Sequence, residues 1–193
     1  VPLRERGDDV VQLAEHFVAQ LASRYGRAPA HTYMTGISNG GIFSHYLAAH
    51  LSSRIAAIAP VVGGIADPPE PWFRPERAVS VLILQGTTDP LVPYRGGAVA
   101  FGRGKIIDTE EAARRWAVAN GAAPEPRSEA LVPGSAGVGA RENRCGGLRL
   151  VYPAGRDGSE VVLVRLDGGG HTWPGGTQSA GSCAPSPKKN SSI

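Results

Sequence analysis

Apolar residues recur along the chain at two different periods, and the switches between them predict its elements. Val10, Leu13, Ala14, Phe17, Val18 and Leu21 fall three and four apart behind an acidic start at Asp8 and Asp9. That spacing puts one apolar stripe on a helix over 9–25, which Gly26 ends. A short run over 31–35 reads as a strand, 42–51 is again helix-like, and 55–62 is small, apolar and strand-like. VSVLILQ at 79–85 is a continuous apolar run rich in branched residues, which predicts a buried strand. TEEAARRWAVAN at 109–120 carries a threonine, acids in its first turn and a glycine just beyond its end, the signs of a helix. Residues 122–140 show no period and hold several prolines, which predicts a surface loop, whereas 148–153 and 160–166 look like two further strands.

The resulting order is helix, strand, helix, strand, strand, helix, strand, strand. Helical patterns alternating with buried strands predict an α/β fold with a mostly parallel sheet. A chain of 193 residues without an internal repeat has the length of one domain. Beyond Gly176 the composition turns to serine, proline and lysine, so 1–176 is expected to be the folded unit and 177–193 a flexible polar tail.

Charge and cysteine content change this picture little. The 20 basic and 17 acidic residues are dispersed, so neither a basic face nor a nucleic-acid partner is expected. No apolar run reaches the length of a membrane-spanning helix. Cys145 and Cys183 lie in loop-like sequence, which tilts toward an oxidising environment and leaves a bridge between them open. His16, His45 and His50 fall on helical stretches and His31 begins a strand, a scatter that offers no metal spacing. Neither metal nor organic cofactor is expected.

The candidate chemistry begins at GISNGG, 36–41. A strand, a tight glycine-flanked turn and a departing helix would present Ser38 as a nucleophile, with Gly36 and Gly40 keeping side chains away from the close approach. The Asn39 backbone N–H would then donate to an oxyanion, at a helix start that favours negative charge. A plain glycine turn accounts for the glycines but not for this context. A serine needs a base, and the base an orienting carboxylate. Asp89 follows the VLILQ strand in QGTTDPLVPY; Asp108 and Asp157 lack a strong strand before them and are weaker candidates. His171 follows VVLVRL through DGGG, a glycine run that permits a close, curved approach, and its ordinary pKa suits proton shuttling. Each of the three ends an expected strand, in the chain order Ser, Asp, His.

With GISNGG around Ser38, QGTTDPLVPYRGG around Asp89, TEEAARRWAVANG and GGGHTWPGG around His171, the chain resembles the polyhydroxybutyrate depolymerase and feruloyl esterase-like group of α/β-hydrolases. The resemblance runs from about Asp8 to Gly176. It implies a three-layer α/β-hydrolase fold and hydrolysis of small or polymeric carboxylic esters through an acyl-enzyme. Ser38 would be the nucleophile, His171 the base and then the acid, and Asp89 its orienting carboxylate. Trp173 would lie near the mouth of the site, facing substrate or packing. The resemblance also implies a secreted or periplasmic location, and it leaves the oligomeric state open.

Two departures from the family pattern shape the expectations. The family's early strands, including one that ends in a histidine–glycine pair and leads to a second oxyanion donor, have no counterpart before Asp8, so the fold is expected to lack its N-terminal strands. The family's cysteine after the long helix is replaced by Ala122 and Ala123, so Cys145 loses that partner. The alternative reading is a truncated, non-catalytic hydrolase-like fragment serving as a binding or structural module. Specificity is expected in the loops at 62–78 and 122–140, where Trp72 and Phe73 could form an apolar wall or pack inward.

Overall fold

The computed structural model describes residues 7–26, 32–70, 72–131 and 146–174. Cys145, Cys183 and the expected tail at 177–193 lie outside the described residues. The chain runs α1 (Gly7–Tyr25), β1 (Thr32–Ile37), α2 (Asn39–His50), β2 (Ile55–Val61), β3 (Ser80–Gly86), β4 (Gly97–Ala98), β5 (Lys105–Ile106), α3 (Thr109–Ala119), β6 (Arg127–Leu131), β7 (Gly147–Tyr152) and β8 (Val161–Leu166). Every expected helix and strand is present, and α2 starts three residues earlier than its apolar pattern, directly after Ser38.

Six strands form one sheet in the order β1-β2-β3-β8-β7-β6. The first three pairings are parallel, in register through pairs such as Ile37 with Val61, Val61 with Leu84, and Leu84 with Val164. The last two are antiparallel. The four parallel strands therefore deliver their carboxyl ends to one edge, and Ser38, Asp89 and His171 all follow such ends.

Two expectations are corrected and one small sheet is added. The stretch read as a loop over 122–140 contains β6, whose residues are exposed except the half-buried Leu131. An edge strand facing water needs no apolar alternation; β6 is held by its backbone pairing to β7 and by Arg149, whose Nη1 lies 2.8 Å from Glu129 Oε2. A second, two-stranded sheet, β4 with β5, was hidden for a different reason: strands of two residues carry no period. Finally, the run VSVLILQ is buried on one face rather than both, with Leu82 39% exposed.

The core explains that asymmetry. Leu47, Ala48 and Leu51 of α2, with Ala112, Ala113 and Trp116 of α3, pack against Ile55, Ile58, Val81, Ile83, Val161 and Leu163 of the sheet, and Val11 and Ala14 of α1 join from the side. The three described α-helices thus cover one face. On the other face Tyr33, Ile37 and Leu82 are exposed, and among the described residues no helix lies over them. The described residues form two of the three layers expected.

Candidate active site

Ser38 joins β1 to α2 with φ 57° and ψ −118°, a conformation that non-glycine residues adopt only where the surroundings hold them there. The holding contacts are visible. Ser38 N donates to Val61 O at 2.9 Å, and Ile42 N donates to Ser38 O at 3.1 Å. The turn is also hemmed in by backbone. A Cβ added at Gly63 would stand 2.5 Å from Ser38 O and 2.8 Å from Gly41 Cα, and one at Gly36 would stand 2.6 Å from Gly40 C. Gly36 thus serves the close approach as expected. Gly40 does not need to be glycine for that reason, since a Cβ there meets nothing within 4 Å. Asn39 opens α2, so its amide belongs to a first turn whose N–H groups have no partner inside the helix.

Asp89 and His171, 82 residues apart, meet: His171 Nδ1–H donates to Asp89 Oδ2 across 2.8 Å. The Asp89 side chain is fully shielded, and its other oxygen accepts from Leu91 N and Val92 N, each at 2.9 Å. A carboxylate held by three or more donors cannot rotate away from the imidazole, and the bond fixes which ring nitrogen faces the carboxylate. The two loops that carry the pair are tied together. Thr88 N and Thr88 Oγ1 donate to Gly169 O, both at 3.0 Å, and Gly168 N donates to Thr87 Oγ1 at 2.9 Å. Gly86 and Gly169 touch backbone to backbone, leaving no room for a side chain at Gly86.

Gln85 was missed by the sequence analysis. Its buried Nε2 donates to Val92 O at 2.9 Å and to Asp89 Oδ2 at 3.2 Å, so it positions both the carboxylate and the loop behind it. The available signal was a polar residue closing an otherwise apolar buried run. Such a side chain is costly to bury unless it is paired.

The remaining candidates divide clearly. Trp173 is 51% exposed beside His171, on the solvent side of the loop. Trp72 and Phe73 take the packing alternative: Trp72 stacks among Tyr46 and His50, and Phe73 meets the Trp116 ring edge-on. Asp108 caps α3, accepting from Glu110 N at 2.8 Å and Glu111 N at 3.2 Å. Asp157 sits in a tight turn away from the sheet's carboxyl edge. His45 is entirely buried and accepts from Trp116 Nε1 at 2.9 Å. Burial lowers its pKa to about 3, against a smaller opposing influence of the Gly63 backbone, so it is neutral at ordinary pH. Among the described residues no cluster of three or more histidine, cysteine or acidic side chains is placed to hold a metal ion. Likewise no described helix is long and apolar enough to cross a membrane.

The arrangement holds an oriented imidazole on the sheet edge that also carries the serine turn, and a serine and an oriented imidazole are the parts that acyl transfer uses. Comparison with known proteins points the same way. The chain is 34% identical over 184 residues to a putative esterase, NocK, of Nocardia uniformis subsp. tsuyamanensis, a match covering 91% of this chain and 52% of that protein. It is 31% identical over 168 residues to feruloyl esterase B of Piromyces equi, covering 84% of this chain and 29% of that one. The chain therefore spans about half, or less, of the curated relatives it matches. Among solved structures it resembles the acetyl xylan esterase from Aspergillus awamori with a TM-score of 0.58 at 16% identity, over 85% of this chain and 62% of that one, a likeness of fold. No family model matches the chain.

Proposed function

We propose that this chain, which belongs to the polyhydroxybutyrate depolymerase and feruloyl esterase-like group of α/β-hydrolases, carries the catalytic centre of a carboxylic-ester hydrolase. The observation that carries the reading is the His171–Asp89 hydrogen bond, built on the same sheet edge as a strained Ser38. With Nδ1 engaged by Asp89, the His171 Nε2 is the nitrogen that would take the Ser38 hydroxyl proton as Oγ attacks the ester carbonyl. The tetrahedral oxyanion would be met by the Asn39 N–H at the start of α2. Collapse would expel the alcohol, protonated by His171, and leave an acyl group on Ser38. Water, deprotonated by His171, would then release the acid and restore the serine.

Esters of hydroxyalkanoates, their polymers and hydroxycinnamates are the substrate range that the family resemblance supports. Trp173, exposed beside His171, is the proposed aromatic contact at the mouth. A third layer over Tyr33, Ile37 and Leu82 would complete the α/β-hydrolase arrangement. Export from the cytoplasm rests on the resemblance alone.

Hydrolysis of p-nitrophenyl acetate and butyrate by this chain and its Ser38→Ala form tests the reading. Serine-dependent turnover, with one equivalent of acyl group trapped on Ser38 at early times, is the expected result. The second reading, a non-catalytic module, is favoured by the sheet face that no described helix covers; equal rates for the two forms would reject this chain as an autonomous esterase.

A further inference from the structure

The β4–β5 hairpin, Gly97 to Ile106, has a rigid base beside the proposed centre and a tip that folding does not explain. At its base, Ala100 N donates to Leu91 O at 2.9 Å, and Leu91 is one of the two residues whose amides hold Asp89. Asp67 N donates to Lys105 O at 2.9 Å, tying the other side to the loop after β2. Val99 and Ile106 are buried with Val92, and Ile42 in the first turn of α2, just after Ser38, packs against them. The hairpin therefore stands between the serine loop and the aspartate loop, held to both.

Its tip carries Phe101 at φ 62°, ψ 29°, followed by Gly102 at φ 66°. Two consecutive left-handed residues suit asparagine and glycine; the bulk of a phenylalanine is uphill there. Burial does not compensate, because the ring is 83% exposed. The Arg103 guanidinium lies 5.9 Å from the ring centroid, and no carboxylate among the described residues pairs with it. A strained, exposed aromatic with an unpaired cation at its side, on a base fixed to the catalytic loops, has the chemistry of a ligand contact.

We propose that Phe101 and Arg103 form a recognition subsite for a ring bearing a carboxylate within the ester substrate. The flat apolar face of the ring stacks on Phe101, and its carboxylate meets the Arg103 guanidinium. This rests on the ester-hydrolase reading of the neighbouring centre. An aromatic acid and a sugar acid share that chemistry, and the test separates them.

The measurement is kcat and KM for p-nitrophenyl acetate, for monomethyl terephthalate and for acetylated glucuronic acid, each ring substrate beside its uncharged counterpart. Wild type, Phe101→Ala and Arg103→Gln are compared. For whichever acid is the natural partner, Phe101→Ala lowers the ratio of its kcat/KM to that for p-nitrophenyl acetate by about 3- to 10-fold, through KM, the scale of one aromatic stacking contact. Arg103→Gln removes the preference for the charged over the uncharged ring, and added salt does the same to wild type. Equal losses on all substrates, or no change in either ratio, overturn the proposal. Saturation-transfer NMR with benzoate and glucuronate keeps the two readings apart. Transfer to wild type that Phe101→Ala abolishes supports the subsite even in a chain without turnover, and its absence from wild type overturns it.

Discussion

Ser38 and the glycines stacked on it show how narrowly the proposed nucleophile is held. The Cβ of an alanine at Gly63 would sit 2.5 Å from Ser38 O and 2.8 Å from Gly41 Cα, and both are backbone atoms that cannot rotate away. Gly63→Ala is expected to lower Tm and to cost more than tenfold in ester turnover, because relief requires moving the turn. Gly40→Ala, inside α2 with nothing within 4 Å of its Cβ, is expected to hold or raise Tm, since alanine favours a helix over glycine by up to about 1 kcal/mol. Thermal melts of the two variants check the contrast; equal shifts would show that the close approach is not at Gly63. His45 makes a second residue-scale prediction. Its pKa falls from 6.5 when solvated to about 3 when buried, so between those values the unfolded chain binds a proton that the folded chain excludes. Stability from this residue is complete above about pH 6.5 and declines as pH falls, by at most about 1.4 kcal/mol per unit. Urea unfolding between pH 4 and 7 reads that slope, and His45→Gln should flatten it.

At the scale of elements, the ends decide more than the middles. The apolar stripe of α3 was plain in TEEAARRWAVAN, yet its cap is Asp108, one residue ahead of the threonine that the sequence offered as its start. Asp108→Ala removes bonds to two otherwise unpartnered amides and should cost about 1 kcal/mol, or a Tm fall of about 2–4 °C. The ion pair of Asp108 with Arg95, 3.5 Å long and with Arg95 75% exposed, adds little to that cost. A calorimetric melt measures the total, and no shift would mean that water satisfies the helix start equally well. The pairs α2–α3 and β6–β7 both escape a local reading. The Trp116 to His45 bond joins residues 71 apart, and nothing local announces it. Strand β6 is announced by nothing at all, since an exposed edge strand obeys its neighbour's backbone and not its own hydrophobicity.

At the scale of the whole fold, the described helices lie on one face, and among the described residues the other presents an apolar sheet surface to solvent. Tyr33, Ile37 and Leu82 are exposed at 67%, 44% and 39%, and β1 ends the sheet among the described residues. Such a face and edge favour self-association. Leu82→Lys is expected to reduce concentration-dependent light scattering of this chain without lowering Tm, because Leu82 contributes little to the core; unchanged scattering would place the association elsewhere. Periodicity and motif together made the parallel α/β order, the serine turn and the candidates Asp89 and His171 readable, because each depends on residues close in sequence: an apolar run, glycines at a sharp turn, a strand end. Tertiary structure alone decided the rest. Strand order and the meeting of Asp89 with His171 across 82 residues depend on which strands become neighbours. So do the support of Gln85, the need for glycine at Gly63 and not at Gly40, and the face left open. A local sequence encodes the shape each segment prefers, while contacts between distant segments arise only once those shapes share one core.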